Sequence, residues 1–151
     1  MMLCYDFFAR WVPLLRAEAE GLEEINVRTS TRTVFVDITR QIQAAVDRMK
    51  MERGVVTVYV PHTTAAVTIN ENADPSVRED ILTVLNRIVP QRDPEYRHGE
   101  GNSAAHAKAS LVGSSVHVPV EGGRLRLGPW QGIFLCEFDG PRERRVWVQR
   151  A

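Results

Sequence analysis

Three of the four histidines lie in two polar stretches of the sequence. His62 belongs to PHTTAAVTINENADP (residues 61–75), and His98 and His106 belong to HGEGNSAAHAK (residues 98–108). Neutral imidazole is the commonest nitrogen ligand of zinc, and three histidines with an open position form a hydrolytic or Lewis-acid site. This spacing is not by itself a metal fingerprint. The sequence therefore leaves two alternatives open, a shared site for zinc or a similar divalent metal ion, and separate surface or hydrogen-bonded histidines.

Carboxylates accompany these histidines in both stretches. Glu71, Asp74 and Glu100 would orient a histidine or act as a general base if burial raised their pKa values. Asp74 also fits a purely structural role, because Asp-Pro is typical of a helix N-cap followed by proline at the first helical position. Glu100 fits a solvated loop carboxylate equally well. With His62, these three carboxylates are the candidate catalytic residues.

An anion site is a further hypothesis for the same stretches. Gly99 and Gly101 bracket Glu100 just before a predicted helix, and such a loop presents backbone N–H groups that suit phosphate. The other candidate anion ligands are the hydroxyl, amide and ammonium groups of Thr63, Thr64, Asn102 and Lys108. Ordinary turn chemistry and strand propensity explain the glycines and threonines as well. Arg142, Arg144 and Arg145 form a basic run that would rim such a site or end a solvated hairpin.

Hydrophobic periodicity predicts the elements that must position these residues. A β-branched run predicts a strand over 55–60, so His62 follows its end. Helical spacing predicts helices over 38–49, from Asp74 to Pro90, and over 104–111. The other predicted strands are 25–30 and 33–38 as a possible hairpin, then 67–70, 115–120, 124–127, 131–138 and 145–149. This order predicts an α+β fold with an antiparallel, β-rich, sandwich-like domain and two to three helices.

Composition limits the class of protein. The chain has 151 residues, 44% hydrophobic and 25% charged, and 19 basic residues balance 19 acidic ones. This length predicts one domain, and the balanced charge gives no reason to expect nucleic acid or membrane as a partner. No apolar run is long enough for a membrane span, and Cys4 and Cys136 are expected to be free thiols, which favours the cytoplasm. Residues 1–22 differ from the rest and are interpreted as an extension, helical or poorly ordered, before a domain at 23–151.

Three long motifs together resemble the YjbQ-like family. They are HTTAAVTINENADP (62–75), HGEGNSAAHAKASLVGSS (98–115) and LGPWQGIFLCEFDGPRERRV (127–146), and they occur in the family's order. The resemblance covers residues 25–149. This chain departs from the family pattern in its first 20-odd residues, at Pro129, where Thr is more usual, and at His117, which its strand context places towards solvent.

The resemblance implies a homotrimer with a histidine-lined pocket near the subunit interface that holds a metal ion or anions. It also implies a secondary thiamine phosphate synthase activity, which joins hydroxymethylpyrimidine diphosphate to a thiazole phosphate and releases pyrophosphate. The family's pocket positions correspond here to His62, Asn70, Glu71, Asp74, His98, Glu100, Asn102 and His106. Asn70 thereby joins the candidate ligands of a phosphorylated substrate.

Two hypotheses follow for function. The first is a metal-assisted enzyme acting on a phosphorylated small molecule, with the metal on His62, His98 and His106. The second is a trimer that binds a metal or a phosphorylated metabolite without turnover of its own. Family resemblance does not decide between these hypotheses, because one fold supports many functions.

Overall fold

Two antiparallel sheets frame the molecule. The computed structural model describes residues 21–151, which contain eight strands and three helices. In chain order these are β1 (Leu22–Arg28), β2 (Val34–Asp37), α1 (Thr39–Arg48), β3 (Arg53–Tyr59), β4 (Ala65–Glu71), α2 (Pro75–Ile88), α3 (Ser103–Val112), β5 (Ser115–Glu121), β6 (Arg124–Leu125), β7 (Gln131–Glu137) and β8 (Glu143–Arg150). The strand orders are β1-β8-β3-β5-β6 and β2-β7-β4. The predicted α+β class with sandwich-like antiparallel sheets is confirmed.

Strand β7 lies at the centre of the smaller sheet and is buried on both faces. Ile133 and Leu135 pack into the main core, against residues of β3, β5 and β8 in the larger sheet. Phe134 and Cys136 point the other way, into a second apolar cluster with residues of α2 and α3. Side chains alternate between the two faces of a strand, so a continuous apolar run is what burial on both faces requires. The domain therefore has three layers: large sheet, small sheet and helices.

A local sequence signal sets the start of α2. The carboxylate of Asp74 accepts a hydrogen bond from the Ser76 backbone N–H at 2.9 Å, and Pro75 opens α2, so the predicted N-cap is confirmed. Helix α1 buries Ile42, Ala45 and Val46 against the core. These caps and apolar faces fix the helices on the small sheet and at the edge of the large one.

The structure corrects one sequence prediction and confirms another. The strands β1 and β2 do not form a hairpin: β1 pairs with β8 and β2 with β7, in different sheets. His117 faces solvent as expected and lies 2.9 Å from the Thr57 hydroxyl.

The structure tests the cysteine and membrane predictions only for residues 21–151. Cys136 is a free, buried thiol, and burial raises its pKa. Cys4 and nearly all of the proposed 1–22 extension lie outside the described residues. Within residues 21–151, none of the helices combines the length and the apolar character needed to cross a membrane.

Gly140 provides a test of packing in the turn that follows β7. A Cβ atom at this position would overlap the Thr31 carbonyl oxygen and lie 2.9 Å from both the Glu137 Cγ and the Thr29 hydroxyl. We expect Gly140→Ala to lower the free energy of unfolding by about 1–3 kcal/mol, as overpacking typically does. Urea denaturation measures the change. Gly99→Ala is the control, since nothing lies within 4 Å of its Cβ position; equal stabilities of the two variants would contradict the packing argument.

Candidate functional site

A polar pocket of about 460 Å³ opens at one end of the two sheets. Three segments far apart in the chain meet there: the β3–β4 connection, the residues from His98 into α3, and the β7–β8 connection. They bring together all three imidazoles, His62, His98 and His106, with Glu100 and Asn102. Convergence of these rings is the geometric condition that both functional hypotheses need.

A buried ion pair anchors this pocket, and its arginine, Arg144, is one of the lining residues. Glu137 on β7 and Arg144 on β8 continue the core-facing sides of their strands and are joined by two hydrogen bonds of 2.6 and 2.8 Å. Burial alone would raise the pKa of Glu137, but the Arg144 guanidinium and the backbone N–H of Asp139 together lower it. The same guanidinium donates to the Thr64 hydroxyl at 2.8 Å. The ion pair thus fixes the threonine at the start of β4.

Asp139 ties the β7–β8 connection to the start of α3. Its carboxylate accepts hydrogen bonds from Arg142 at 2.7 Å and from the Asn102 amide at 2.9 Å, and Arg32 lies 3.5 Å away. Asp139 is 8% exposed, so these contacts balance a nearly buried charge. Arg142, by contrast, has a side chain that is 51% exposed on the rim of the pocket.

Asn102 has an acceptor atom without a partner. The residue is 5% exposed and lines the pocket, and its NH₂ group donates to Asp139. Among residues 21–151, no donor reaches its carbonyl oxygen Oδ1. An unsatisfied buried polar atom costs about 1–3 kcal/mol, so it points to a donor supplied from outside the protein.

The His62 ring is held by the backbone of β8. The pairing of β3 with β8 ends at Tyr59 and Trp147, and two residues before Trp147 the N–H of Arg145 donates to His62 Nε2 at 2.9 Å. Because Nε2 accepts, a neutral ring carries its hydrogen on Nδ1. Burial, and then the positive charges of Arg144 and Arg145, lowers the pKa of His62. His62 is therefore a neutral hydrogen-bond donor at the pocket.

The other two imidazoles form a contact pair. The rings of His98 and His106 stand edge to face, with centroids 5.3 Å apart, and His98 Nε2 lies 3.9 Å from a Glu100 carboxylate oxygen. Histidine exchanges protons more readily near neutral pH than any other side chain. The pair can therefore pass protons to or from a molecule in the pocket.

The described geometry does not form a metal centre within one chain. In the part of the chain that the structure covers, no three His, Cys, Asp or Glu side chains are arranged to hold a metal ion. His62 also uses Nε2 for the Arg145 N–H, so the ring presents a proton rather than a lone pair. The predicted zinc set of His62, His98 and His106 does not fit a metal ion in this arrangement.

Some candidate residues lie away from this pocket. Asn70 and Glu71 end β4, whereas Thr63 and Thr64 precede its start, and seven strand residues span about 20 Å. Asp74 caps α2 beyond that far end, and the hydrogen bonds from Ser76 lower its pKa, the opposite of what a general base needs. A single chain does not bring these three to the imidazoles, and their roles stay predictions.

Lys108 also turns away from the pocket. Its side chain is 1% exposed, and the ammonium group donates to the Asn86 side chain on α2 at 2.6 Å. Burial lowers the pKa of Lys108. In this arrangement the residue links α3 to α2, and anion binding by Lys108 stays a prediction.

The β7–β8 connection and the start of β8 contribute more residues to the pocket than the sequence indicates. Arg142 and Arg144, from the basic run predicted to rim a site or to end a hairpin, line the pocket, and so does Asp139 of the same connection, which the sequence did not single out. A Glu137 that interrupts an apolar strand seven residues before Arg144 is the available signal, because a charge on a buried strand requires a partner.

The fold and site define a class of small α+β proteins with a histidine-lined polar pocket at the end of two sheets. The chain belongs to the UPF0047, or YjbQ-like, family, whose sequence model matches residues 23–151. The similar UPF0047 protein YugU of Bacillus subtilis is 48% identical over 128 residues, covering 85% of this chain and 97% of that protein. A UPF0047 protein of Methanocaldococcus jannaschii is also 48% identical over 128 residues, covering 85% and 92%.

Solved structures agree with this assignment. A YjbQ/UPF0047 family protein of Clostridium acetobutylicum is 50% identical, with a TM-score of 0.83 over 85% of this chain and 99% of that one. A conserved hypothetical protein of Thermus thermophilus is 46% identical, with a TM-score of 0.80 and the same coverage. The family resemblance stated from the three motifs is therefore confirmed.

The ion pair generates a stability prediction. Arg144→Met leaves the Glu137 charge buried without its main partner, so we expect a loss of about 3–5 kcal/mol in the free energy of unfolding. Urea denaturation provides the measurement. Arg28→Met is the matched control, because the Arg28–Glu143 pair is exposed on both sides and should change stability by less than about 1 kcal/mol. Similar losses of unfolding free energy in the two variants would contradict the prediction that breaking the buried pair costs more than breaking the exposed one.

The His62 ring generates a pH prediction. Its pKa in the folded protein lies below the ordinary 6.5, so on acidification the unfolded chain takes up this proton first. The contribution of His62 to stability is therefore complete above pH 6.5 and is lost as the pH falls towards its folded pKa. An NMR titration, assigned with His62→Asn, should show a ring protonated on Nδ1 that titrates below pH 6.5. A ring that titrates above 6.5 would contradict this assignment.

Proposed function

We propose that the pocket binds a small phosphorylated molecule and that its imidazoles transfer protons in a reaction of that molecule. The observation that carries this proposal is that hydrogen-bond donors for an anion and the His98–His106 pair line the same cavity. A volume of about 460 Å³ lies within the range of small-molecule sites. General acid–base groups beside a bound phosphorylated compound are the elements that a transferase or hydrolase needs.

Donors on one side of the pocket support phosphate binding. Arg142 uses Nε and one terminal nitrogen for Asp139, and within residues 21–151 its other terminal nitrogen has no hydrogen bond. The exposed Thr63 hydroxyl and the Nδ1–H of His62 add two neutral donors. A guanidinium with neighbouring hydroxyl and imidazole donors is a common setting for a phosphate group.

Asn102 supports a second contact with the ligand. Its free carbonyl oxygen can accept from a hydroxyl, an amine or a water bound with the ligand. The pocket therefore has a hydrogen-bond acceptor beside the imidazole pair and hydrogen-bond donors near Arg142. A ligand with an anionic group and a separate donor group satisfies both.

In its finer form, the proposal is the reaction implied by the family resemblance: joining hydroxymethylpyrimidine diphosphate to a thiazole phosphate with release of pyrophosphate. The lining charges are balanced, with Arg142 and Arg144 against Glu100 and Asp139. A pocket without excess positive charge binds a diphosphate weakly, which is consistent with a secondary rather than a main activity.

The same charge balance favours a second candidate function. A trimer that binds a phosphorylated metabolite without turnover needs the donors and the Asn102 acceptor but no proton transfer.

The proposal includes a homotrimer in the cytoplasm. Val84 and Ile88, one turn apart on α2, and Leu111 on α3 are 53%, 62% and 62% exposed. Exposed apolar side chains on adjacent helices are typical of surfaces that bind a second copy. The free Cys136 thiol is consistent with a reducing compartment.

Pyrophosphate release from the two thiamine precursors tests the function. We expect His106→Asn and His98→Asn to lower the rate by about 100-fold or more, because general acid–base groups contribute at least that much. His117→Asn is the matched control, since His117 faces solvent on β5 and contacts Thr57 instead of the pocket.

Light scattering of the same preparation should give three times the 17.1 kDa chain mass.

Thermal-shift measurements with inorganic phosphate and pyrophosphate separate the two candidates. Stabilisation without product would favour the binding protein, and metal analysis of the same sample tests the zinc expectation. If the ligands cause no stabilisation and no product forms, both candidates are overturned.

A further inference from the structure

A second cavity adjoins the pocket. It has a volume of about 350 Å³ and shares His62, Thr63 and His106 with the first. The imidazoles of His62 and His106 therefore stand on the boundary between two spaces and can face a molecule that occupies either one.

The two cavities differ in charge. The first is lined by four charged side chains, whereas the residues around the second, all within 21–151, include no Asp, Glu, Lys or Arg. Its remaining walls are small: Ala65, Ala109 and Gly113, with the hydroxyls of Ser110 and Ser114. An uncharged group loses less hydration on entering this space than an ion would.

The second cavity is held in place by backbone hydrogen bonds. The carbonyl of Gly113 accepts from Val67 on β4 at 3.0 Å, and the carbonyl of Ser114 accepts from Val60 after β3 at 2.8 Å. Ala65 and Ala109 are buried in the two apolar clusters. The walls of the second cavity are therefore preformed, which lowers the cost of ordering them around a ligand.

We propose that the second cavity binds the uncharged organic part of the ligand whose phosphate occupies the first. This inference rests on the proposed function and adds where each part of the substrate binds: the phosphate in the first cavity is joined, across the His62–His106 boundary, to a compact ring-sized group in the second, whose polar atoms hydrogen-bond to serine hydroxyls. The phosphate lies near Arg142, and the organic group lies between α3 and the start of β4. The linkage between the two parts then passes beside the imidazoles.

Ser114→Leu tests the proposal. Ser114 is exposed, and its side chain makes no hydrogen bond within the described part of the chain, so the variant fills the cavity without removing a contact. Isothermal titration calorimetry compares inorganic phosphate with benzyl phosphate. We expect the unmodified protein to bind benzyl phosphate about tenfold or more tightly than phosphate, because the ring becomes buried. Ser114→Leu should abolish that gain while leaving the affinity for inorganic phosphate unchanged.

Ser115→Leu is the matched control, because Ser115 is also exposed but lines neither cavity. Ser110→Leu, in the last turn of α3, should reproduce the Ser114→Leu result. Equal affinities for the two probes, or a benzyl phosphate gain that survives both variants, would overturn this inference alone. Failure of the unmodified protein to bind inorganic phosphate would instead overturn the proposed function together with it.

Discussion

The site depends on one buried ion pair. Glu137 and Arg144 occupy core-facing positions at the end of two strands that belong to different sheets, so their contact fixes the sheets relative to each other where the pocket opens. Two charges are tolerated in such a position only when hydrogen bonds satisfy both, and the backbone of Phe138 and Asp139 and the Thr64 hydroxyl complete that shell. Two of these residues, Thr64 and Asp139, line the pocket together with Arg144.

Most elements of the fold were predictable from the sequence, but their partners were not. Helix α2 follows from an Asp-Pro start and an apolar stripe, both of which are local signals. The pairing of β1 with β8 joins residues more than 100 positions apart, whereas the sequence between β1 and β2 looks like an ordinary hairpin turn. Alternating polarity specifies that a segment is a strand and which face is buried; it does not specify the neighbouring strand.

Part of the site was predictable from local signals as well. The imidazoles, Thr63, Thr64, Glu100 and Asn102 come from dense polar motifs, and all of them line one pocket. Asn70 and Glu71 belong to the first motif too, but the seven residues of β4 carry them to the other end of the sheet. Arg142 and Arg144 come from a basic run that was predicted to rim such a site or to end a hairpin, but the hydrogen bond that joins this connection to the start of α3 had no local signal in the sequence. Residues close in sequence lie close together in the site when they belong to one loop, but not when the length of a strand separates them.

The hydrogen bond between His62 and the Arg145 backbone narrows the residues that evolution can use at position 62. The side chain must accept at one atom and donate at another, which only imidazole and the carboxamides of Asn and Gln do while uncharged. Lysine or arginine would leave the β8 N–H without an acceptor, and a carboxylate would offer no donor. A carboxamide at this position would keep both the acceptor for the β8 N–H and a donor towards the pocket, so the sheet edge would stay intact while the only loss would be a ring that can take up a proton.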